Sequence, residues 1–421
     1  MVINMNNYIK EYGDSTFIQL PFNDIDNLIL SQLAYNDYEG IVRYNTSITL
    51  RDAAREFKLL HNQEQIEQLI GISKKAAQLL FDCAETKRFG SAVLCHYVNK
   101  IVGDIDKQFS AISFELDDGS FVTSFRGTDA TVTGAKESAM LSYMFPVPAQ
   151  IEALHYFQES GMRHRGDIRI VGHSKGGNLA VFAGVNCSNS LKKRIVGIYE
   201  NDAPGFPKWF FDRYDYRQIK DKIHLFTPQG SIIGRMLYHD ANPNIVVSTN
   251  SGLKQHQVSS WQIEGTELVK ADGYDVHSNF VSNYINELID YVGDEDLELF
   301  FDTLNDVALG IGIEDFYDLK ALDFRKAIDL IDTLSQLDDN QKSRFKRILK
   351  KAGTDFAKEF INDKKEYIIE KKNKSLDIAG VQNKEKEGYK PLKDKLKEKY
   401  EAKKGARAEK RIQTSDENKP E

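Results

Sequence analysis

Apolar residues recur at helical spacing over residues 1–90. Residues 22–35 show this best, because apolar side chains fall three or four positions apart after a candidate cap at Asn23 or Asp24. Residues 75–86 repeat the pattern. The sequence therefore predicts that this N-terminal segment forms mainly helices that pack on a core built by the rest of the chain.

From residue 91 the apolar runs become short and read as strands. These runs cover residues 91–98, 109–116, 121–125, 168–171, 194–200, 222–227, 245–248 and 261–263. Residues 117–120 predict a hairpin turn, and a helix within 136–165 is expected to cross over to the fourth strand. Strands and helices then alternate, which predicts a mostly parallel sheet with right-handed crossovers and flanking helices. The runs 245–248 and 261–263 are expected to pair.

Helical periodicity returns after residue 277. One apolar stripe runs from Phe280 to Val292 and another from Ala327 to Leu337, which predicts packed helices. Beyond residue 351 the chain is rich in Lys and Glu, a composition typical of solvated helix or disorder. We therefore expect four parts, namely an N-terminal helical segment at 1–90, a core at 91–277, a helical extension at 278–350 and a charged tail at 351–421.

Composition excludes several classes of protein. The chain has 421 residues and 41% of them are hydrophobic, which is ample for a sizeable core. A net charge of −7 argues against nucleic-acid binding. The sequence has no run of about 18 apolar residues, so it predicts no transmembrane helix. Residues 1–15 also lack the apolar stretch of a signal peptide. The three cysteines lack metal-ligand spacing and suit reduced core thiols. We expect a cytoplasmic protein with no metal or cofactor.

A Gly-x-Ser-x-Gly motif is centred on Ser174, between the strand 168–171 and a small, apolar stretch at 178–184. A strand–turn–helix of this kind exposes a serine hydroxyl at the end of a sheet, and Gly172 and Gly176 leave room for the sharp turn. Free N–H groups at the helix N-terminus can stabilise an oxyanion. The motif predicts Ser174 as a nucleophile and an α/β-hydrolase-like fold.

A serine nucleophile needs a base, and in this fold the order along the chain is Ser, acid, His. The downstream histidines are His224, His239, His256 and His277. His256 lies in a polar loop before the last predicted strand, where the base belongs, so it is preferred. His239 is the second choice, and His224 falls within a predicted strand.

Two aspartates compete for the role of the acid. Asp202 directly follows the predicted strand 194–200, whereas the next strand ends at 227–231 without a carboxylate and Asp240 comes later. We favour Asp202 and keep Asp240 as the alternative.

Two donors are expected to form the oxyanion hole. One is the backbone N–H of Lys175, the residue after the nucleophile. The other comes from the loop after the third predicted strand, where Gly127 permits a tight turn and Thr128 offers both an N–H and a hydroxyl. In that loop Arg126 is a candidate ion-pair partner of Asp129.

Taken together, these motifs resemble the class 3 lipases among the α/β hydrolases, and more closely a bacterial lipase-like branch whose elbow reads GHSKGGN. The matching segments lie within about residues 16–277 and are 125–128, 172–178, 201–206, 228–234 and 255–261. The resemblance implies that Ser174 is the nucleophile and His256 the base, with Thr128 and Lys175 lining the oxyanion hole.

The chain departs from the class 3 lipases at the acid. Those enzymes carry it after the strand that here ends at Gly230 and Ser231, and no carboxylate stands there. Either Asp202 substitutes or the triad is incomplete. The elbow also carries Lys175 where many lipases have leucine, and this cation either favours an anionic substrate or pairs with a neighbour.

Two functional hypotheses follow. In the first, the protein is a serine hydrolase that cleaves a carboxylic ester, of an acyl lipid by preference, with transient contact to a membrane surface. The N-terminal helices or residues 131–150, which include Met140, Leu141, Met144 and Phe145, would then form a lid. In the second, motivated by the missing carboxylate, the site has decayed and the fold serves as a binding or scaffold module.

Overall fold

The computed structural model describes residues 4–43, 45–61, 63–69, 71–102, 107–128 and 138–310, together with Ser343 and Arg347. The chain divides into two compact units, residues 1–364 and 365–421, and every described residue lies in the first. The predicted stripe from Ala327 to Leu337 and the charged tail lie outside the described residues. The division into four parts therefore stays a prediction.

The N-terminal segment is helical, as the apolar spacing predicts. Its helices are α1 (Met5–Tyr12), α2 (Asp24–Leu33), α3 (Leu50–Leu60), α4 (Gln63–Gln68), α5 (Gly71–Ala84) and α6 (Lys87–Gly90). Asn23 caps α2, because its side chain accepts hydrogen bonds from the N–H groups of Ile25 and Asp26.

An eight-stranded sheet forms the centre of the molecule. Its strands are β1 (Ser47–Thr49), β2 (Val93–Val102), β3 (Lys107–Glu115), β4 (Phe121–Phe125), β5 (Ile168–His173), β6 (Ile195–Asn201), β7 (Ile223–Pro228) and β8 (Pro243–Val246), and they lie side by side in chain order. The first four pair antiparallel, and the pairs from β4 to β8 are parallel. The carboxyl ends of β4 to β7 therefore meet at one edge of the sheet.

Helices connect the parallel strands and continue beyond the sheet. They are α7 (Pro148–Arg163), α8 (Lys175–Asn186), α9 (Asn189–Arg194), α10 (Tyr214–Arg217), α11 (Val276–Tyr291) and α12 (Asp294–Gly310). Helix α7 begins only at Pro148, well inside the predicted window, because proline fixes the backbone for the first helical position and lacks an N–H. The mostly parallel sheet with flanking helices is an α/β-hydrolase-like architecture, as predicted.

The final predicted strand pair forms only in part. Ser248 and Trp261 make one antiparallel bridge, and Ile263 instead pairs with Leu268 across a small hairpin of β9 (Ile263–Glu264) and β10 (Glu267–Leu268). Two 3-10 turns fill the intervening chain, and the indole of the buried Trp261 donates to the carbonyl of Gln255. These turns divert the chain from a continuous ladder.

Each face of the sheet carries its own hydrophobic core. On one face α1, α2 and α5 cover inward residues of the strands, such as Phe114, Val122 and Tyr199. On the other face α7 and α8 cover Phe125 and Ile198. The N-terminal helices therefore belong to the same folded body as the sheet.

The end of the described chain packs on the second core. Ile289 and Val292, from the first predicted C-terminal stripe, are buried there with Leu297. All three cysteines are buried free thiols, and burial raises the pKa of Cys95 and Cys187 to about 12. Within the described ranges, no helix is both long enough and apolar enough to cross a bilayer.

Candidate active site

Ser174 sits on a sharp turn between β5 and α8. Its backbone has φ 57° and ψ −135°, a conformation that L residues rarely adopt, and its N–H donates to the carbonyl of Asn201 at 2.9 Å. A Cβ at Gly172 would lie 2.2 Å from the carbonyl carbon of Gly176, and a Cβ at Gly176 would lie 2.1 Å from the carbonyl oxygen of Phe125. Both glycines are therefore required by close backbone packing, as the motif predicts.

Asp202 and His256 meet beside this turn. The Nδ1 of His256 lies 2.6 Å from Oδ2 of Asp202, and the aspartate is fully buried while the imidazole is partly exposed. Because a carboxylate only accepts, His256 donates from Nδ1, which leaves Nε2 with its lone pair. Asp202 has φ 48° and its N–H donates to the carbonyl of Phe226 at 2.7 Å, so β6 and β7 hold it in place.

Ser231 supports the same carboxylate. Its hydroxyl donates to Oδ1 of Asp202 at 2.5 Å, and it accepts from the N–H of Gly234 at 3.1 Å. Ser231 follows β7, where the class 3 lipases carry their acid. Asp202 lies at the end of the neighbouring strand β6, and the position after β7 supplies a hydroxyl that hydrogen-bonds to it.

His173, the residue before Ser174, anchors the His256 loop. Its Nε2 donates to the carbonyl of His256 at 2.8 Å, since that oxygen can only accept, and its Nδ1 accepts from the hydroxyl of Tyr35 at 2.9 Å. Burial, and then the charge of His256, holds the pKa of His173 well below its ordinary value, so the ring stays neutral. Hydrogen bonds from Tyr35 to His173 and from His173 to His256 thereby link the N-terminal segment to the loop that carries His256.

A second polar contact links the N-terminal segment to the site. Asn27 of α2 and Asn201 exchange two amide hydrogen bonds of 2.9 Å each, and Asn201 also donates to the carbonyl of Gly172 at 3.1 Å. Both amides are fully buried. The pair fixes α2 against the strand end from which Ser174 and Asp202 emerge.

The loop after β4 packs directly against Ser174. A Cβ at Gly127 would lie 2.4 Å from the carbonyl oxygen of His173 and 3.0 Å from Cβ of Ser174. Thr128 follows Gly127 in this loop, and its hydroxyl shares a 2.7 Å hydrogen bond with Ser138. Lys175 opens α8, and backbone N–H groups in the first turn of a helix have no partner within the helix. The assignment of Thr128 and Lys175 to an oxyanion hole stays a prediction.

The two cations near the site have different partners. The buried ammonium of Lys175 donates to the carbonyl of Gln108 at 2.9 Å. This contact agrees with the expectation that Lys175 pairs with a neighbour. Arg126 donates from Nη2 to Oδ1 of Asn99 at 3.2 Å. Its proposed partner Asp129 lies outside the described residues.

The remaining candidates lie elsewhere. His239 is 3.6 Å from Glu200, measured from Nδ1 to Oε1, and does not contact Asp202. Asp240 lies beside Tyr216, where its charge adds to the effect of burial in raising the pKa of that phenol.

His224 lies in β7 and stacks on Tyr199 of the neighbouring strand β6, with ring centroids 4.7 Å apart. The side chain of His277 lies outside the described part of the chain. Of the predicted lid, Met140 and Leu141 are buried in the second core, and residues 129–137 are not described.

The structure therefore brings Ser174, Asp202 and His256 to one edge of the sheet. In the part of the chain that the structure describes, no hydrogen bond yet joins the Ser174 hydroxyl to His256. Active-site hydrogen bonds are often long without substrate and tighten when it binds. Among the described residues no group of His, Cys, Asp or Glu side chains is arranged to hold a metal ion.

Sequence reasoning missed three contributors, Ser231, Tyr35 and Asn27. A polar residue directly after a parallel strand, such as Ser231, is a usable signal because ligands bind at that edge. Asn27 lies on α2 and Tyr35 in the turn after it, both far away in sequence, and no local pattern marks them.

Comparison with known proteins gives a family and a distant structural likeness. No curated protein matches the chain. Among solved structures, the chain is similar to the M37 lipase crystal structure at 14% identity, with a TM-score of 0.31, over 50% of this chain and 67% of that one. The Mbeg1-like family model matches residues 83–306, which cover the elbow, Asp202 and His256. The chain belongs to the Mbeg1-like family.

Proposed function

We propose that this protein is a serine hydrolase that cleaves a carboxylic ester, with Ser174 as nucleophile, His256 as base and Asp202 as the orienting acid. The observation that carries the proposal is the 2.6 Å contact between Asp202 and His256, next to a serine held at φ 57°. A buried carboxylate that orients an imidazole, beside a serine on a strained turn, is the arrangement that activates a hydroxyl for acyl transfer.

The proposed reaction has two steps. Ser174 Oγ attacks the ester carbonyl while His256 Nε2 takes the hydroxyl proton, and N–H groups at Lys175 and Thr128 stabilise the oxyanion. His256 then returns the proton to the departing alcohol, and a water molecule activated by the same imidazole cleaves the acyl-serine. Asp202 stabilises the imidazolium that forms in each step.

The rival hypothesis of a decayed site loses its motivation. It was based on the missing carboxylate after β7, and Asp202 with the supporting hydroxyl of Ser231 supplies a carboxylate from the neighbouring strand. Ser174→Ala is the discriminating variant, and Ser251→Ala, which removes an exposed hydroxyl, is its matched control.

The experiment combines covalent labelling with hydrolysis. A fluorophosphonate probe is expected to label the wild type and Ser251→Ala but not Ser174→Ala, and 4-nitrophenyl butyrate hydrolysis is expected to fall by a factor of about 10³ or more in Ser174→Ala. Hydrolysis that persists in Ser174→Ala, or folded wild type that resists the probe, would overturn the proposal. A panel of acyl chain lengths then tests the preference for acyl lipids.

A further inference from the structure

A cavity of about 260 Å³ lies between the N-terminal helices and the sheet. Its apolar wall comes from Phe57, Ile66 and Leu69, and its polar wall includes Asn99 and Arg126. A cavity of this size accommodates a group of a few carbon atoms with a polar end.

The cavity adjoins the nucleophile. Tyr35 lines it and also hydrogen-bonds to His173, which precedes Ser174. Arg126 lines it too, and the next residue, Gly127, packs against the Ser174 side chain. The cavity and Ser174 therefore share two neighbours, the side chain of Tyr35 and the Arg126–Gly127 segment.

Arg126 brings an incompletely satisfied positive charge to the cavity. Its Nη2 donates to Asn99, while its Nε is buried and has no hydrogen-bond partner among the described residues. No carboxylate of the described residues lies within ion-pair distance of it. A guanidinium carries five N–H donors in a fork that matches the oxygens of a carboxylate or phosphate, and a buried donor without an acceptor is costly.

Asp37 also lines the cavity, and it forms no ion pair with Arg126 among the described contacts. Asp37 is exposed to solvent, and its Oδ1 already accepts from the hydroxyl of Tyr97 at 2.9 Å and the N–H of Glu39 at 3.0 Å. Asn36 adds a buried carbonyl oxygen without a partner in the described part of the chain. The cavity thus offers a cationic donor and a neutral acceptor to a polar ligand.

We propose that this cavity binds an anionic oxygen group of the substrate, a carboxylate or a phosphate, through Arg126 while the ester carbonyl lies at Ser174. The inference depends on the proposed esterase function and narrows its substrate class to esters with an anionic group a few atoms from the scissile bond. The anion can come from the acyl part, as in a dicarboxylic hemiester, or from the alcohol part, as in a phosphorylated alcohol.

The first test compares two matched esters on the full-length wild type. Mono-4-nitrophenyl glutarate carries a terminal carboxylate, and 4-nitrophenyl methyl glutarate is its neutral counterpart. We expect kcat/KM to be about 10- to 100-fold higher for the anionic ester, the ratio typical of a hydrogen bond to a charged group. With the neutral ester as reporter, competition by glutarate or by glycerol phosphate identifies the source of the anion.

The second test uses Arg126→Gln, with Arg163→Gln as the matched control. Arg163 is a partly exposed arginine on α7 that pairs with Glu159. Arg126→Gln is expected to lower the anionic-to-neutral ratio of kcat/KM by at least tenfold, whereas Arg163→Gln keeps the ratio within about twofold of wild type. Thermal melting checks that both variants fold.

The outcomes separate the two proposals. Hydrolysis of the neutral ester that depends on Ser174, with no preference for the anionic ester and no competition by either anion, overturns this inference and leaves the esterase proposal intact. Failure of hydrolysis and labelling altogether refutes the esterase proposal. If Arg126→Gln does not fold, the wild-type ester ratio and the competition experiment still decide.

Discussion

At the scale of single residues, the hydrogen-bond partners around His256 determine which of its atoms donate and which accept. A carboxylate of Asp202 that accepts from both Ser231 and His256 keeps the imidazole in the tautomer with a free Nε2. The carbonyl of His256 in turn accepts from His173. Asp202 therefore holds the ring of His256 and His173 holds its backbone, which is what a base needs if it is to meet Ser174 in one orientation.

Replacing each candidate acid decides between them. Asp202→Asn is expected to lower kcat by roughly 10³- to 10⁴-fold, because an amide does not stabilise the imidazolium and favours the wrong tautomer. Asparagine tolerates the positive φ of this position, so the fold should be kept. Asp240→Asn is the matched control and should keep kcat within about threefold. Steady-state kinetics on a neutral ester checks both, and equal losses would refute the assignment of Asp202.

Burial of His173 predicts a pH dependence of stability. Its pKa is lowered in the folded state, so the unfolded chain binds more protons below the ordinary histidine value of about 6.5. Stability is thus fully present above about pH 6.5 and is lost as the pH falls toward the folded pKa, by up to about 1.4 kcal/mol per pH unit.

His173→Gln should reduce this loss, because glutamine retains a donor for the His256 carbonyl but does not titrate. His155→Gln, at an exposed position on α7, is the control and should leave the pH dependence unchanged. Urea unfolding at pH 8 and pH 5 measures the difference. An unchanged pH dependence in His173→Gln would show that other groups cause the loss.

At the scale of elements, the β5–turn–α8 unit is defined by backbone contacts rather than by side-chain packing. The first turn of α8 lies so close to β5 that Gly172 has no space for a Cβ, and so close to the end of β4 that Gly176 has none either. The loop after β4 closes on the same turn through Gly127. These contacts hold Ser174 in its strained backbone conformation.

Adding a methyl group at the turn between β5 and α8 should therefore destabilise the protein strongly. Gly172→Ala is expected to lower the free energy of unfolding by about 3 kcal/mol or more, since the new atom would meet backbone on α8 that has nowhere to move. Gly273→Ala is the matched control, because nothing lies within 4 Å of its Cβ position, and should change stability by less than about 1 kcal/mol. Chemical denaturation of both variants compares them, and a mild effect at Gly172 would contradict the close packing described for the elbow.

At the scale of the whole molecule, the N-terminal helices are structural partners of the sheet and also part of the site. Their core includes Val122, Val171 and Tyr199 of the strands. Asn27 and Tyr35 reach the sheet edge that carries Ser174 from the same segment. This segment also contributes most of the wall of the cavity that Arg126 lines. If that cavity binds part of the substrate, as we propose, substrate selection and folding depend on the same helices.

A buried ion pair holds this segment together. Arg88 donates from Nη2 and Nε to Asp26 at 2.5 and 2.8 Å, both side chains are fully buried, and Arg88 also donates to the carbonyl of Leu20 at 2.9 Å. Arg88→Met is expected to cost about 3–5 kcal/mol of stability, because it leaves a buried carboxylate unpaired.

Lys87→Met is the control for Arg88→Met. It removes an exposed neighbouring cation and should change stability by about 0.5 kcal/mol or less. Differential scanning calorimetry measures both variants. A small effect of Arg88→Met would mean that water replaces the pair in the folded protein.

Local sequence patterns were enough to predict the features that depend on neighbouring residues. The elbow, its two glycines, the hairpin between β3 and β4, and the alternation of strands and helices are local patterns, and the structure has each of them. Asp202 follows a predicted strand and His256 precedes the last predicted one. Their candidacy could also be inferred from the sequence, because parallel strands end at a common edge.

Which distant groups meet depends on long-range packing and is seen in the folded structure alone. It placed Asp202 rather than Asp240 on His256, put the hydroxyl of Ser231 where the acid was expected, and left Arg126 in a cavity instead of in an ion pair with a described residue. Such contacts join residues far apart in sequence, and their choice depends on how two hydrophobic faces pack against one sheet. No periodicity within the chain encodes that packing, so it becomes visible only in the folded molecule.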